Sequence, residues 1–167
     1  MEVRGFDVGV ICLPYPGESV PGDMALVEDG DDALTIALAD GLGHGPAAHA
    51  SAAEALAVVR ANAGQEVGAL FRDAHQRLRR QGFRGAVLGL ARFDRVRRVV
   101  YFAGVGNIDL IVVGDGVTRL VGHHGLLGGV LPAVRTHEAA FGEGALAFLL
   151  SDGITTRFDP LPFRTAQ

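Results

Sequence analysis

Two of the four Asp-Gly pairs in this 167-residue chain stand where a carboxylate could take a hard cation. Asp40-Gly41 ends the apolar run Leu34-Thr35-Ile36-Ala37-Leu38-Ala39, and Asp152-Gly153 ends Leu146-Ala147-Phe148-Leu149-Leu150-Ser151. Runs that are apolar on both faces and bounded by turn residues are predicted to be buried strands. An Asp at the mouth of such a strand offers oxygen ligands, and the Gly after it lets the backbone come close. Two such strand ends together predict a carboxylate-lined metal site. The remaining pairs, Asp115-Gly116 and Asp29-Gly30, separate short apolar runs and read as turns.

The elements that must position these aspartates follow from periodicity. Strands are predicted at about 3–13, 24–28, 33–39, 86–93, 98–104, 108–113, 117–121, 134–141 and 146–151. Between the third and fourth lie two helical patterns. The first runs from Pro46, suited to a first turn, through an alanine-rich stretch to Ala63, with Gly64 as its stop. The second covers about Gln65 to Gln81, where Val67, Leu70, Phe71, Ala74 and Leu78 form one apolar stripe and Gly82 ends it. Strands, a helix pair and then a long antiparallel meander make an α+β pattern with helices packed on sheets. There are no alternating βαβ units, which argues against a doubly wound nucleotide fold. Gly104-Val105-Gly106-Asn107 joins strands rather than opening a helix, so it is no dinucleotide fingerprint.

Composition narrows the function classes. A hydrophobic fraction of 49% suits a single well-cored domain spanning 1–167, able to bury roughly two thirds of its unfolded surface. The net charge of −4 gives no nucleic-acid footprint. Arginines cluster at Arg77, Arg79, Arg80 and Arg84 and again at Arg92 to Arg98, which reads as a solvated helix face and a hairpin end. Cys12 is the only cysteine, so no disulfide framework or thiolate metal site is expected, and it is predicted to be a small buried hydrophobe in the first strand. No signal peptide and no apolar run near the ~20 residues of a membrane span is present, so a cytoplasmic protein without a membrane partner is expected.

At the entry to the first helix the residues become specific. Ala39-Asp40-Gly41-Leu42-Gly43-His44-Gly45 resembles the signature of PPM-type metal-dependent serine/threonine phosphatases, in their bacterial SpoIIE branch. Gly22-Asp23 resembles the family's first motif, Ala103 to Ile108 its glycine-rich connection, and Leu150-Ser151-Asp152-Gly153-Ile154 its second metal motif. Arg84-Gly85-Ala86 also fits, and the small size resembles the stand-alone RsbX-like enzymes. The matches span residues 22 to 154, in family order.

The resemblance implies a β-sandwich of two mostly antiparallel sheets flanked by helices, with two Mn²⁺ or Mg²⁺ ions in a cleft at one edge. By that analogy Asp40 bridges the ions, the Gly41 carbonyl ligates one, Asp152 holds the other, and Asp23 contributes directly or through water. Asp40 and Asp152 would then be the catalytic pair, serving an activated water that attacks phosphorus in line without a covalent enzyme intermediate. His44 could donate a proton to the leaving oxygen or fix the turn of the loop by hydrogen bonding, and the second is the expectation carried forward. His123-His124 are expected in a loop, and His49 and His75 in packing or surface roles. Family members usually finish with a helix and an Asp-Asp or Asp-Asn motif before a last strand. Here Gln167 follows Gly153 by fourteen residues that include Pro160 and Pro162, so the C-terminal helix, the last strand and one metal ligand are expected to be missing.

Two functions stand. One is a protein phosphatase acting on phosphoserine or phosphothreonine of a bacterial signalling protein, a STAS-domain anti-sigma antagonist or stressosome subunit. The other is a pseudophosphatase that docks the same phosphoprotein. A hydrolase of small phosphoesters is a third, for which no base-recognition pocket is visible.

Overall fold

The computed structural model describes residues 1–154 together with Asp159, Pro160 and Pro162. A short hairpin, β1 (Glu2–Val3) and β2 (Phe6–Asp7), opens the chain. Then come β3 (Asp23–Asp29), β4 (Ala33–Gly41), α1 (Gly45–Ala61), α2 (Val67–Gln81), β5 (Ala86–Asp94) and β6 (Val99–Val105). The meander closes with β7 (Asp109–Val113), β8 (Val117–Leu120), β9 (His137–Ala140) and β10 (Leu146–Leu150). Strands pair antiparallel in a five-stranded sheet of order β3-β4-β5-β6-β9 and a three-stranded sheet of order β10-β7-β8. This is the α+β sandwich with flanking helices that the sequence predicts.

The period-two alternation of the central strands explains the layers. On β4, Ala37 and Ala39 face the helices and belong to a core with Ala52, Leu56, Leu70, Phe71 and Leu78. Leu34 and Ile36 face the other way, into a second core with Phe93, Phe102, Leu110 and Val112 between the sheets. The two cores therefore use opposite faces of one sheet. Helix α2 is amphipathic: all five residues of its predicted stripe are buried. Its start is fixed by the Glu66 carboxylate, which accepts hydrogen bonds from the amides of Gly68 and Ala69, and its end by Gly82 at φ 71°.

Two local expectations are corrected. The predicted strand 3–13 is instead the β1–β2 hairpin, turned at Gly5 (φ 75°), followed by irregular chain. Its apolar run Val10-Ile11-Cys12-Leu13 finds no strand partner: Ile11 and Leu13 are exposed and Cys12 is half-buried, not the buried hydrophobe expected. Helix α1 stops at Ala61, short of Gly64, where Asn62 takes the cap and its side-chain amide donates to the Val58 carbonyl. The reading of the C-terminal residues as neither helix nor central strand falls mostly on 155–158, 161 and 163–167, outside the described residues. No described helix is long and apolar enough to cross a membrane.

Candidate metal centre

One end of the sandwich gathers the start of β3, the end of β4, the β6–β7 loop and the end of β10. The turn between β3 and β4 sets a register in which Asp23 lies directly opposite Asp40. Both alternate onto the face that looks between the sheets, and both are half-buried. Gly41, next along β4, turns to the helix side. A Cβ there would lie 1.8 Å from the Ala48 carbonyl oxygen of α1, so only glycine allows this strand and helix to touch. The loop is tied down by its amides: Gly41 N–H donates to the Gly22 carbonyl (3.3 Å) and Leu42 N–H to that of Gly85 (3.0 Å).

The second sheet reaches the same place. Ser151, just after β10, donates its hydroxyl to Asp23 Oδ2 at 2.7 Å, across 128 positions of chain. The exposed carboxylate of Asp152 accepts from the Asn107 amide at the β6–β7 connection. Asp23, Asp40, Gly41 and Asp152, all named from sequence, thus sit on one rim. Ser151 and Asn107 were not singled out as site residues, although both lie inside quoted motifs.

The electrostatics of the rim are those of an uncompensated acidic cluster. Burial, then the charge of Asp23, a hydrogen bond shared with Asp23, and the charge of Asp152 push the Asp40 carboxyl up to about 7. Among the described residues no Arg or His forms an ion pair with Asp23, Asp40 or Asp152. A cation would relieve that repulsion, and an all-oxygen donor set suits Mg²⁺ or Mn²⁺. The fit is that of an open site. Among the described residues no three His, Cys, Asp or Glu side chains converge into a ready cage, so carbonyl and water oxygens must complete any shell.

His44 follows the loop at the N-cap of α1 in extended backbone, and its side chain does not cap the helix. Instead its Nδ1 lies 2.5 Å from Glu18 Oε1, and its ring stacks on Tyr15 with centroids 5.0 Å apart. Glu18 and Tyr15 carry no sequence signal, since their partner is 26 or more positions away. His49 Nδ1 reaches the Pro21 carbonyl, and His75 Nδ1 accepts from Gly128 N–H, so both are built into packing. His124 is exposed, whereas His123 stacks on His137.

Comparison with known proteins agrees with this architecture. The family model for Stage II sporulation protein E (SpoIIE) matches residues 30–161. The curated Phosphoserine phosphatase RsbX of Bacillus subtilis (strain 168) is 28% identical over 148 residues, covering 87% of this chain and 73% of RsbX. A chain from a structure of the bacterial stressosome, described as a modular system adapted to control secondary messenger signalling, superposes with a TM-score of 0.86 at 32% identity, covering 91% of this chain and 79% of that one. A crystal structure of RsbX in complex with magnesium gives 0.84 at 25%, covering 94% and 79%. The PP2C phosphatase domain of SpoIIE from Bacillus subtilis, at 20% identity and a TM-score of 0.74 over 86% of this chain and 44% of that one, shares the fold. With the acidic rim and the fold on the same residues, the chain belongs to the SpoIIE family of PPM-type protein phosphatases.

Proposed function

We propose that this chain is a divalent-metal-dependent phosphatase that removes phosphate from serine or threonine of a regulatory protein in bacterial stress signalling. The observation that carries the reading is the opposed pair Asp23 and Asp40. Two carboxylates are held face to face at an open strand end, without a cation partner, in a SpoIIE-family chain. RsbX is named a phosphoserine phosphatase and was crystallised with magnesium, which supports the reaction class and the metal class.

In this reading Asp23, Asp40, the Gly41 carbonyl and Asp152 hold the metal, with Asp40 and Asp152 as the catalytic pair. A bound divalent ion supplies Lewis acidity, lowering the pKa of water and neutralising charge on phosphoryl oxygens. The protein's own residues do the positioning. Ser151 orients Asp23, Asn107 orients Asp152, and the contact of Gly41 with Ala48 fixes the height of the loop over α1. His44, beside this loop, is held by Glu18 through Nδ1 and by stacking on Tyr15. The proposed substrate is a phosphorylated STAS-type protein, consistent with the stressosome relative, and the proposed setting is the cytoplasm. The open donor set favours a second reading, in which the chain docks the phosphoprotein without turnover.

The deciding experiment is hydrolysis of p-nitrophenyl phosphate and of a phosphoserine STAS protein with Mn²⁺ or Mg²⁺, beside Asp40→Asn. Metal-dependent release of phosphate that disappears in the variant is the expected result. A folded wild-type chain that binds the phosphoprotein but releases no phosphate at saturating metal would leave the docking reading.

A further inference from the structure

The irregular chain that leads from β2 to β3 runs past the acidic rim. Its residues Val10, Ile11 and Cys12 line a cavity of about 590 Å³ together with Asp23 of β3 and with Leu150 and Ser151 at the end of β10. The Cys12 thiol is pushed up first by burial and then by the charge of Asp23. Farther along the same chain, Tyr15 stacks on His44 and Glu18 bonds the Nδ1 of that ring, three residues beyond Gly41. This strap therefore follows the rim from Asp23 to the loop that begins at Asp40 and Gly41.

The composition of the strap is at odds with its exposure. From Val8 to Gly17 it has no charged side chain. Yet Ile11 is 84% exposed, Leu13 79% and Tyr15 62%, and Val10 is exposed as well. Leu42, the neighbour of Gly41 in the metal loop, is also exposed. Elsewhere among the described residues large apolar side chains reach water one at a time, as at Val96 and Val130. Scattered apolar side chains are ordinary on a protein surface, whereas a run of them beside a polar site marks ground that another molecule covers.

We infer that the strap, with Leu42, docks the stretch of substrate chain beside the phosphorylated residue, and that this stretch is apolar and uncharged. The inference rests on the phosphatase reading. Leu42 directly follows Gly41, and the Tyr15–His44 stack lies two residues farther on. A protein that brings a phosphoserine to Asp23 and Asp40 has to lie across this surface, which makes the patch continuous with the site. Charge selects in the same direction. The exposed Asp152 on the rim and Glu18 at the end of the strap repel acidic flanks, and the strap offers such flanks no cation. The cavity beside Val10 and Ile11 gives apolar side chains of the substrate a place to leave water. A second copy of the chain on the same patch would close the rim instead of serving it.

The test compares two phosphoserine peptides of equal length, one with Leu and Val on both sides of the phosphoserine and one with Ser and Gly there. Hydrolysis with Mg²⁺ and calorimetric binding are measured for wild type and for the double variant Ile11→Ser, Leu13→Ser. p-Nitrophenyl phosphate serves as the substrate without flanks. Both replaced side chains are exposed, so the variant is expected to fold, and the wild-type preference is read without it. In wild type, kcat/KM should favour the apolar peptide by roughly 10-fold or more, the scale of one or two buried apolar side chains. The double variant should lose that preference through a higher KM and keep its turnover of p-nitrophenyl phosphate. Equal rates for the two peptides in wild type, or a preference that survives in the variant, overturn the proposal and leave the phosphatase reading intact. So does a wild-type dimer in sedimentation that the variant abolishes, because the patch then belongs to a second copy. Strap-dependent binding of the apolar peptide without turnover of any substrate keeps the docking surface and removes the phosphatase reading. A wild-type chain that neither binds the peptides nor hydrolyses anything removes both.

Discussion

The two ends of the β3–β4 hairpin carry the same dipeptide and treat it in opposite ways. At the turn, Asp29-Gly30 is surrounded by cations: Arg95 pairs with Asp29 and donates to the Gly30 carbonyl at 2.6 Å, and Arg4 reaches Asp29 at 3.4 Å. Partial burial pushes the Asp29 carboxyl up, but hydrogen bonds and charge from Arg95 and Arg4 more than reverse this and hold it below the ordinary range. At the open end, Asp40-Gly41 faces Asp23 with no cation, and Asp40 is pushed up to about 7. One end is compensated by the chain itself and serves stability. The other is left unfinished, as a site for something that is not protein.

The largest expected effect is at the unfinished end. Asp40→Asn should lower metal-dependent turnover by on the order of 10³-fold or more, because activated water is what makes a nucleophile at neutral pH. In the same variant the metal-free protein should melt higher than wild type at pH 7.5, because one of two opposed charges is gone. A calorimetric scan in chelator checks this; a lower melting point would show that the charge was not a strain.

Gly41→Ala comes next. The added methyl would meet the α1 backbone, which cannot turn away as a side chain could, so a loss of about 3 kcal/mol is expected in urea unfolding. The equivalent change at the compensated end, Gly30→Ala, meets only the Ala33 carbonyl oxygen at 3.1 Å and should cost less than about 1 kcal/mol. Equal losses would undo the contrast between the two Asp-Gly pairs.

The pH dependence sharpens the comparison further. A carboxyl whose folded pKa is raised holds its proton more tightly in the native state than in the unfolded one. Its contribution to stability is full below the ordinary value of 3.8 and is lost as pH rises through about 7. The melting-point difference between metal-free Asp40→Asn and wild type should therefore widen from pH 4 to pH 7.5. Asp29, whose carboxyl is depressed, has the opposite sign: its contribution is present above the ordinary value and fades as pH falls. The difference between Asp29→Asn and wild type should thus shrink toward pH 3.

Much of this was legible in the sequence because it is local. The apolar stripe of α2, the strand runs of the meander and the helix start at Pro46 need only neighbouring residues to be read. Asp40 and Asp152 stand out for the same reason: each ends an apolar run before a glycine that begins no hairpin. The Asp23–Asp40 pairing needs the register of a hairpin as well: the family motif named Asp23, but neither motif nor composition gave its partner. The first strand was misread because Val8 to Leu13 has the composition of a strand but no partner in register, while Gly5 breaks the run before it. The bonds from Ser151 to Asp23, Asn107 to Asp152 and His44 to Glu18 span 26 to 128 positions, and the first depends on two sheets meeting, which no local pattern encodes.

Arg92 has a mechanical consequence for the helix pair. From β5 it donates to the carbonyls of Ala63 at 2.6 Å and Gln65 at 3.1 Å, in the connection between α1 and α2. At the other end of α1, Ala48 is pressed onto Gly41. The helices therefore behave as a beam clamped at both ends on the sheet rather than as a lever hinged at one. A load applied to their outer face spreads to two supports, and the loop that carries Asp40 is one of them.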